Sequence, residues 1–253
     1  MSSKESKRSA RDQLAEQRKA QAAADKRKQT ITNTVIVVVV VAVVIGIFVA
    51  VQASRTSGPD TAAFPAGVGG QGAGVVVGSA DAPVTLDLWE DFQCPICKDF
   101  EASVGEDMTA LVDDGTLKVV IHPVSFLDAQ LNNVASIQAA AALGCAADAG
   151  KPLEFHGTVF ANQPATEGEG WTIDQLVQWG KDSGIDDADF EPCVTDQVYA
   201  PWGEQVLASM TDAGVTGTPT LFIDGDKVSD EDRAAMTQDS KKFVQAIEDA
   251  AQS

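Results

Sequence analysis

The chain alternates short apolar stretches typical of strands with longer stretches in which apolar residues recur at helical spacing. Residues 84–89 (VTLDLW) and 117–121 (LKVVI) are short and rich in apolar residues, and each predicts a strand; we expect Pro123 to end the second. Between them, residues 95–112 repeat apolar residues every three or four positions, which predicts a helix beginning at Pro95. A strand, a helix and a strand in this order predict a right-handed parallel crossover.

The pattern then becomes helical and returns to strands only near residue 220. The helical stretches are predicted at residues 130–149, 153–162, 172–182 and 199–213, with Thr172 as the N-cap of the third. Further short strands are expected at residues 75–77, 220–223 and 227–228, with a hairpin turn at residues 224–226, and a closing amphipathic helix at residues 240–250. The fold class is therefore α/β, with a helical insertion at about residues 125–213.

A long apolar run precedes this domain. Residues 31–51 predict one transmembrane helix, because residues 35–51 carry no polar side chain and the run would cross a bilayer core. Basic residues crowd its N-terminal flank, which places the N-terminus in the cytoplasm and the rest of the chain outside. The alternative is a cleaved signal peptide with a small-residue site at residues 51–53; we favour an uncleaved anchor because the basic region and the apolar run are both long.

Charge and residue composition distinguish three further parts of the chain. Residues 1–30 contain nine Lys/Arg and four Asp/Glu and predict a basic cytoplasmic tail, whereas the remainder contains nine Lys/Arg and 33 Asp/Glu. Residues 52–74, rich in Gly, Ala, Ser and Pro, predict a flexible linker. Residues 75–253 are enough for one well-buried domain, and the domain's acidity argues against nucleic acid as a partner.

The four cysteines allow a metal site, a structural disulfide or redox chemistry. Only Cys94 and Cys97 form a close pair, whereas a structural zinc site usually needs two such pairs, so zinc is disfavoured. Cys94 follows a predicted strand and precedes Pro95 at the start of a predicted helix. Unpaired N–H groups and the positive end of the helix dipole would stabilise its thiolate there. Cys97, one turn later, can act as the resolving thiol, so the pair predicts a reactive dithiol.

Two motifs together carry a family resemblance. DFQCPICKDFE (residues 91–101) and GVTGTPTLFIDG (residues 214–225) resemble the membrane-tethered, DsbA-like thiol-disulfide oxidoreductases of bacteria, in the thioredoxin superfamily, and the resemblance covers residues 75–252. It implies a thioredoxin fold with a helical insertion, with Cys94 as the nucleophile and Cys97 as the resolving cysteine. Thr218 and Pro219 match the family's cis-proline loop, which offers backbone groups to an extended substrate segment. Cys145 and Cys193 match a second disulfide of some relatives, and we expect them to be bonded to each other.

The surroundings of the dithiol set its redox potential. Pro95 and Ile96 lie between the cysteines, where strongly oxidising relatives often carry a histidine. Relatives also carry a buried acid six residues before the first cysteine, but Leu88 occupies that position here. Glu90 is therefore the candidate proton acceptor. His122, at the end of the second strand, is a further candidate neighbour of the site, and His156 is assigned no role.

These features predict an extracytoplasmic dithiol oxidase that introduces disulfides into exported cysteine-containing proteins. No haem, flavin or metal motif is apparent, so no cofactor is expected and the dithiol must be reoxidised by a partner. The resemblance implies a membrane quinone reductase of the DsbB or vitamin K epoxide reductase type. The alternatives are a disulfide reductase or isomerase of the same fold, or a non-enzymatic peptide-binding chaperone module.

Overall fold

A computed structural model describes residues 63–68 and 73–252, and its centre is a five-stranded sheet in the order β1-β3-β2-β4-β5. The strands are β1 Val75–Val77, β2 Val84–Asp91, β3 Leu117–Val124, β4 Thr220–Ile223 and β5 Asp226–Lys227. β2 and β3 are parallel, as the predicted crossover requires, and the other neighbours are antiparallel. The central position of β2 brings the end of this strand into the interior of the domain.

Nine helices surround the sheet in the described part of the chain. They are α1 Pro95–Asp113, α2 Phe126–Leu131, α3 Ala135–Asp148, α4 Pro152–Ala161, α5 Ile173–Asp182, α6 Phe190–Thr195, α7 Ala200–Ser209, α8 Asp230–Gln238 and α9 Ser240–Ala250. Helix α1 packs against α9, where the Phe100 and Phe243 rings meet edge to face with centroids 6.2 Å apart. Helices α2 to α7 form the insertion between β3 and β4.

Two predicted elements have other bounds in the structure, and one helix was not predicted. β3 continues through Pro123 to Val124. Its pairing with β1 ends at Ile121, so the edge of β3 that faces β1 is unpaired at the proline. A residue without a backbone N–H is tolerated at an unpaired strand edge. The single helix predicted at residues 130–149 is divided, because Asn132 takes a left-handed conformation (φ 54°) that caps α2. Helix α8 was not predicted, since it buries little more than Met236 and has no apolar stripe.

The predicted linker is partly packed onto the domain. Val68 bridges Val75, the backbone N–H of Ala66 donates to Asp148 Oδ1 at 2.7 Å, and Trp202 Nε1 donates to the Ala73 carbonyl at 2.9 Å. The described residues of the predicted linker thus contact the domain, while residues 52–62 and 69–72 lie outside the described residues, and the flexible linker stays a prediction. The predicted tail (residues 1–30) and transmembrane helix (residues 31–51) lie outside the described residues, and no helix within the described residues is long and apolar enough to cross a membrane.

The insertion is built around the small residues of α3. Residues such as Ala139 and Ala141 are fully buried and allow neighbouring helices to approach closely. Gly144 touches Tyr199 so closely that a Cβ at this position would lie 2.8 Å from that ring. A disulfide joins Cys145 of α3 to Cys193 of α6, with Cα atoms 5.9 Å apart, and closes a loop across 48 residues of sequence. The pair that the resemblance implied is thus bonded in the structure.

Loss of this disulfide should destabilise the protein. We expect the double variant Cys145→Ala/Cys193→Ala to lower the free energy of unfolding by about 4 kcal/mol, because the unfolded chain regains the entropy of a long closed loop. Chemical denaturation followed by circular dichroism measures the change. Native protein in a reductant strong enough to open this disulfide serves as the control and should match the variant. Equal stability without reductant, or alkylation of either cysteine in the untreated protein, would contradict the prediction.

Candidate redox site

The two central cysteines lie where β2 passes into α1. Cys94 is the residue before the first residue of α1, and its backbone N–H donates to the Asp91 carbonyl at 2.9 Å. Both cysteines are free thiols; Cys94 is 7% exposed, whereas Cys97, one turn later, is completely buried. Pro95 and Ile96 between them are exposed, so the nucleophile lies under a small apolar rim.

The environment of Cys94 favours its thiolate. The pKa of this thiol is lowered from 9.0 to about 6, chiefly by a hydrogen bond from the Cys97 thiol. The side chain of Thr218 and the backbone N–H groups of Cys97 and Ile96 lower this pKa further, while burial opposes them. A charged sulfur at a helix N-terminus is stabilised in this way because the first N–H groups have no partners within the helix.

The Thr218-Pro219 loop closes one side of the site. The peptide bond between these residues is cis, and the Thr218 carbonyl accepts a hydrogen bond from the Cys94 thiol at 3.5 Å. Both residues lie directly before β4, which is paired with β2, so the sheet itself brings the loop against the start of α1. Thr218 and Pro219 thus occupy the position that the sequence motif implied.

A buried acidic cluster lies on the other side of Cys97. Glu90, Glu101 and His156 come from β2, α1 and α4, and His156 Nε2 lies 3.0 Å from Glu90 Oε2. Burial raises the pKa of Glu90, and the negative charge of Cys94 raises it further. Burial also raises the pKa of the Cys97 thiol, as does its interaction with Cys94 and the charge of Glu90. Glu90 is therefore next to the resolving thiol, where a proton acceptor is needed.

The same three side chains are the group that could hold a cation. Their potential ligand atoms lie within 4.8 Å of one another, and all three residues are buried. Within the described residues, neither free cysteine belongs to such a group, and the other two cysteines are used by the disulfide.

The insertion holds the CPIC turn in place. Asp91 accepts hydrogen bonds from the Leu127 N–H at 3.0 Å and from the Ser136 hydroxyl. Gln163 Nε2 donates to the carbonyls of Phe92 at 2.7 Å and Cys94 at 3.1 Å. The helical block thus provides part of the wall of the site.

His122 corrects one expectation. Its strand does end beside β2, but its ring stacks on Trp89 with centroids 4.1 Å apart and its Nε2 bonds Asp87 Oδ1 at 2.9 Å. Side chains alternate between the two faces of a strand, so Trp89 and Glu90 point to opposite faces and His122 lies with Trp89. The imidazole that bonds Glu90, the acid beside the resolving thiol, is instead that of His156.

Most of the site residues that the sequence did not predict come from the insertion. They are Ser136, His156 and Gln163, whereas Glu101 lies in α1. A weak signal for His156 does exist, because it lies on the apolar face of α4 between Phe155 and Val159, both fully buried. Nothing in the linear pattern indicates which strand that face covers.

Comparisons with known proteins agree with this geometry. A family model described as thioredoxin matches residues 71–249. The serine/threonine-protein kinase PknE of Mycobacterium tuberculosis is 36% identical over 93 residues, which is 35% of this chain and 16% of the kinase. The chain thus spans less than a fifth of the length of this curated relative.

Solved structures match the domain over most of their own length. The reduced DsbA of M. tuberculosis has a TM-score of 0.56 and 27% identity, covering 70% of this chain and 97% of that one. The DsbG of the same species has a TM-score of 0.57 and 27% identity, covering 73% and 95%. MdbA of Actinomyces oris, 21% identical with a TM-score of 0.61, covers 74% of this chain and 92% of that one, and supports the fold alone. The chain therefore belongs to the thioredoxin family and is a DsbA-like protein thiol-disulfide oxidoreductase.

Proposed function

We propose that this protein is an extracytoplasmic dithiol oxidase that introduces disulfides into exported proteins. The observation that carries the proposal is the stabilised thiolate of Cys94, whose pKa is lowered to about 6. In the oxidised enzyme, a substrate thiolate attacks the Cys94 sulfur, the Cys94–Cys97 bond breaks, and Cys97 leaves as a thiolate that takes up a proton. A second substrate thiolate then attacks the mixed disulfide, releasing the substrate disulfide and the Cys94 thiolate.

The direction of electron flow follows from the energy of the leaving thiolate. Whatever stabilises the Cys94 thiolate stabilises the reduced enzyme, and so makes its disulfide a stronger oxidant. At pH 7, a pKa of about 6 in place of 9.0 favours the reduced form about tenfold, which for a two-electron couple corresponds to about 30 mV. The nucleophilic cysteine has a pKa of about 7 in thioredoxin and about 3.5 in DsbA, so the pKa of Cys94 falls between these two values.

The surface around Cys94 suits an extended segment of a protein substrate. The exposed side chains of Pro95 and Ile96 form one side and the Thr218-Pro219 loop forms the other. Backbone groups of that loop can pair with a substrate main chain regardless of its side chains, while the apolar rim contacts the residues beside the substrate cysteine. This arrangement favours broad selectivity for exposed, unfolded segments.

The location and the reoxidising partner rest on the sequence. The apolar run at residues 31–51, with its basic N-terminal flank, supports a membrane anchor that places the domain outside the cytoplasm. We propose that a membrane quinone reductase of the DsbB or vitamin K epoxide reductase type reoxidises the dithiol. Anchoring in the same bilayer would raise the effective concentration of the two proteins.

A reductase or isomerase is the second candidate function, and Glu90 is the observation that favours it. A carboxylate beside the cysteines disfavours thiolates, and its negative charge raises the pKa of Cys97. A lower potential and a reduced dithiol in the cell would follow if this effect outweighed the stabilisation of Cys94.

The reduction potential distinguishes the two functions. For an oxidase we expect the full-length protein in detergent to have a potential between those of thioredoxin (about −270 mV) and DsbA (about −120 mV), by equilibration with glutathione. Acid trapping and alkylation in intact cells should find the Cys94–Cys97 pair oxidised. A potential at or below that of thioredoxin, together with a reduced pair in cells, would overturn the oxidase and support the reductase.

Two substitutions at Cys97 test the origin of the stabilised thiolate. Cys97→Ala removes the hydrogen-bond donor and should raise the pKa of Cys94, because that bond is the largest effect lowering it. Cys97→Ser keeps a donor at the same position and should raise it much less. The measurement is the thiolate absorbance at 240 nm as a function of pH. A Cys94 pKa in Cys97→Ala equal to that of the native protein would show that Cys97 does not stabilise the thiolate.

A further inference from the structure

Three buried titratable side chains form a row that leads away from the resolving cysteine. They are Glu90, His156 and Glu101. Glu90 lies against Cys97, and His156 Nε2 lies 3.0 Å from Glu90 Oε2. His156 Nδ1 in turn lies 3.6 Å from Glu101 Oε2. The side chains of Glu90 and His156 are 1% exposed and that of Glu101 is 4% exposed, so the row runs through the protein interior.

Each member of the row has an unused polar atom. Glu90 Oε1, Glu101 Oε1 and His156 Nδ1 are buried without a hydrogen-bond partner among the described residues. Unsatisfied buried polar atoms are unfavourable, and natural proteins keep few of them. The 3.6 Å separation of His156 Nδ1 and Glu101 Oε2 is slightly longer than a hydrogen bond, and His156 Nδ1 has no hydrogen-bond partner among the described residues that would prevent closure.

The far end of the row reaches solvent. Glu101 lines a cavity of about 530 Å³ between α1 and α4. Exposed residues at its edge connect it to solvent, namely Ala102, Glu106, Glu154, Gly157 and Ala161. Gly105 is part of this wall, and a Cβ there would lie 3.3 Å from Glu101 Oε2. The small residues therefore keep the Glu101 carboxyl open to the cavity.

We propose that His156 and Glu101 form a proton relay that connects the buried Cys97 thiol, through Glu90, to the cavity between α1 and α4. The proposal rests on the proposed thiol-disulfide exchange and deepens it, since it assigns a route to the proton that the exchange moves. His156 and Glu101 act through Glu90 and do not touch the reacting sulfur atoms themselves.

The proton balance is complete at each step. When a substrate thiolate attacks Cys94, the sulfur–sulfur bond breaks and its electron pair goes to Cys97. Cys97 takes the proton of the Glu90 carboxylic acid. The Glu90 carboxylate takes the proton of His156 Nε2, and His156 Nδ1 takes one from the Glu101 carboxylic acid, which water in the cavity reprotonates. Reoxidation of the enzyme moves one proton in the opposite direction.

The charge states near neutral pH suit this route. Among the described residues, the titratable groups facing the row are Cys94 at the N-cap of α1, Cys97 and Glu101 from α1, Glu90 from β2 and His156 from α4. Lys98, Glu106 and Glu154 line the cavity beside Glu101. The rings of Phe92 and Phe160 flank the imidazole. Burial raises the pKa of Glu101 to about 8, raises that of Glu90, and lowers that of His156. Carboxylic acids and a neutral imidazole are the forms that can pass a proton along this row.

The variant Glu101→Gln tests the relay in the full-length protein in detergent. Oxidised protein is mixed with dithiothreitol in EDTA, quenched with acid at set times and alkylated to measure reduction of the Cys94–Cys97 pair. We expect Glu101→Gln to be reduced roughly tenfold more slowly than the native protein near pH 7, because the last proton donor is lost. The difference should disappear as the pH rises through about 8, where native Glu101 has itself lost its proton.

Matched controls separate a relay from a structural effect. Glu106→Gln changes an acid at the edge of the same cavity and should react like the native protein. Glu101→Gln should unfold no more easily than native protein, since an amide needs no proton to be buried.

Three results would overturn the relay. The first is an equal rate for Glu101→Gln and native protein. The second is a slow variant whose difference from native protein does not change with pH. The third is a native rate that increases when zinc replaces EDTA, which would indicate a cation site. Failure of the native protein itself to exchange disulfides would instead overturn the proposed function. The rate of the native protein thus distinguishes the two failures.

Discussion

The effect of the buried Cys97 thiol on the Cys94 sulfur is the interaction on which the chemistry of this protein depends. It requires Cys94 to end the turn after β2 and Cys97 to be buried one turn into α1, with both side chains on the same side of the helix start. One sulfur is then stabilised as a thiolate and the other is kept protonated, so two residues of the same type have pKa values shifted in opposite directions. The result is one nucleophile and one resolving group.

The helical insertion contributes to the site as well as to the core. Ser136 binds Asp91 at the end of β2, Gln163 binds the carbonyl of Cys94, and His156 binds the buried Glu90. The disulfide between α3 and α6 stabilises this block. Among the described residues, no hydrogen bond connects this disulfide directly to the dithiol. A rigid insertion is useful here because the proton that accompanies exchange must reach a thiol with no exposed surface.

The sequence predicts the core of this arrangement well because it is local. The strand-to-helix turn, Pro95 at the helix start and the Cys-x-x-Cys spacing lie within a few residues of one another, and their chemistry follows from backbone geometry. Glu90 was identifiable for the same reason. His122 and His156 were not distinguishable, because the face to which a strand residue points and the strand that a helix covers depend on tertiary packing. Pro123 and Asn132 show the same limit for element boundaries, since an unpaired sheet side tolerates a proline and one left-handed residue divides a helix.

The most direct test of the account is the alkylation of the two central cysteines in the reduced native protein as a function of pH. Mass spectrometry after brief exposure to iodoacetamide reports each cysteine separately. We expect Cys94 to be modified with a midpoint near pH 6 while Cys97 stays protected throughout. Modification of both cysteines at similar rates, or a midpoint for Cys94 near that of an ordinary thiol, would contradict it.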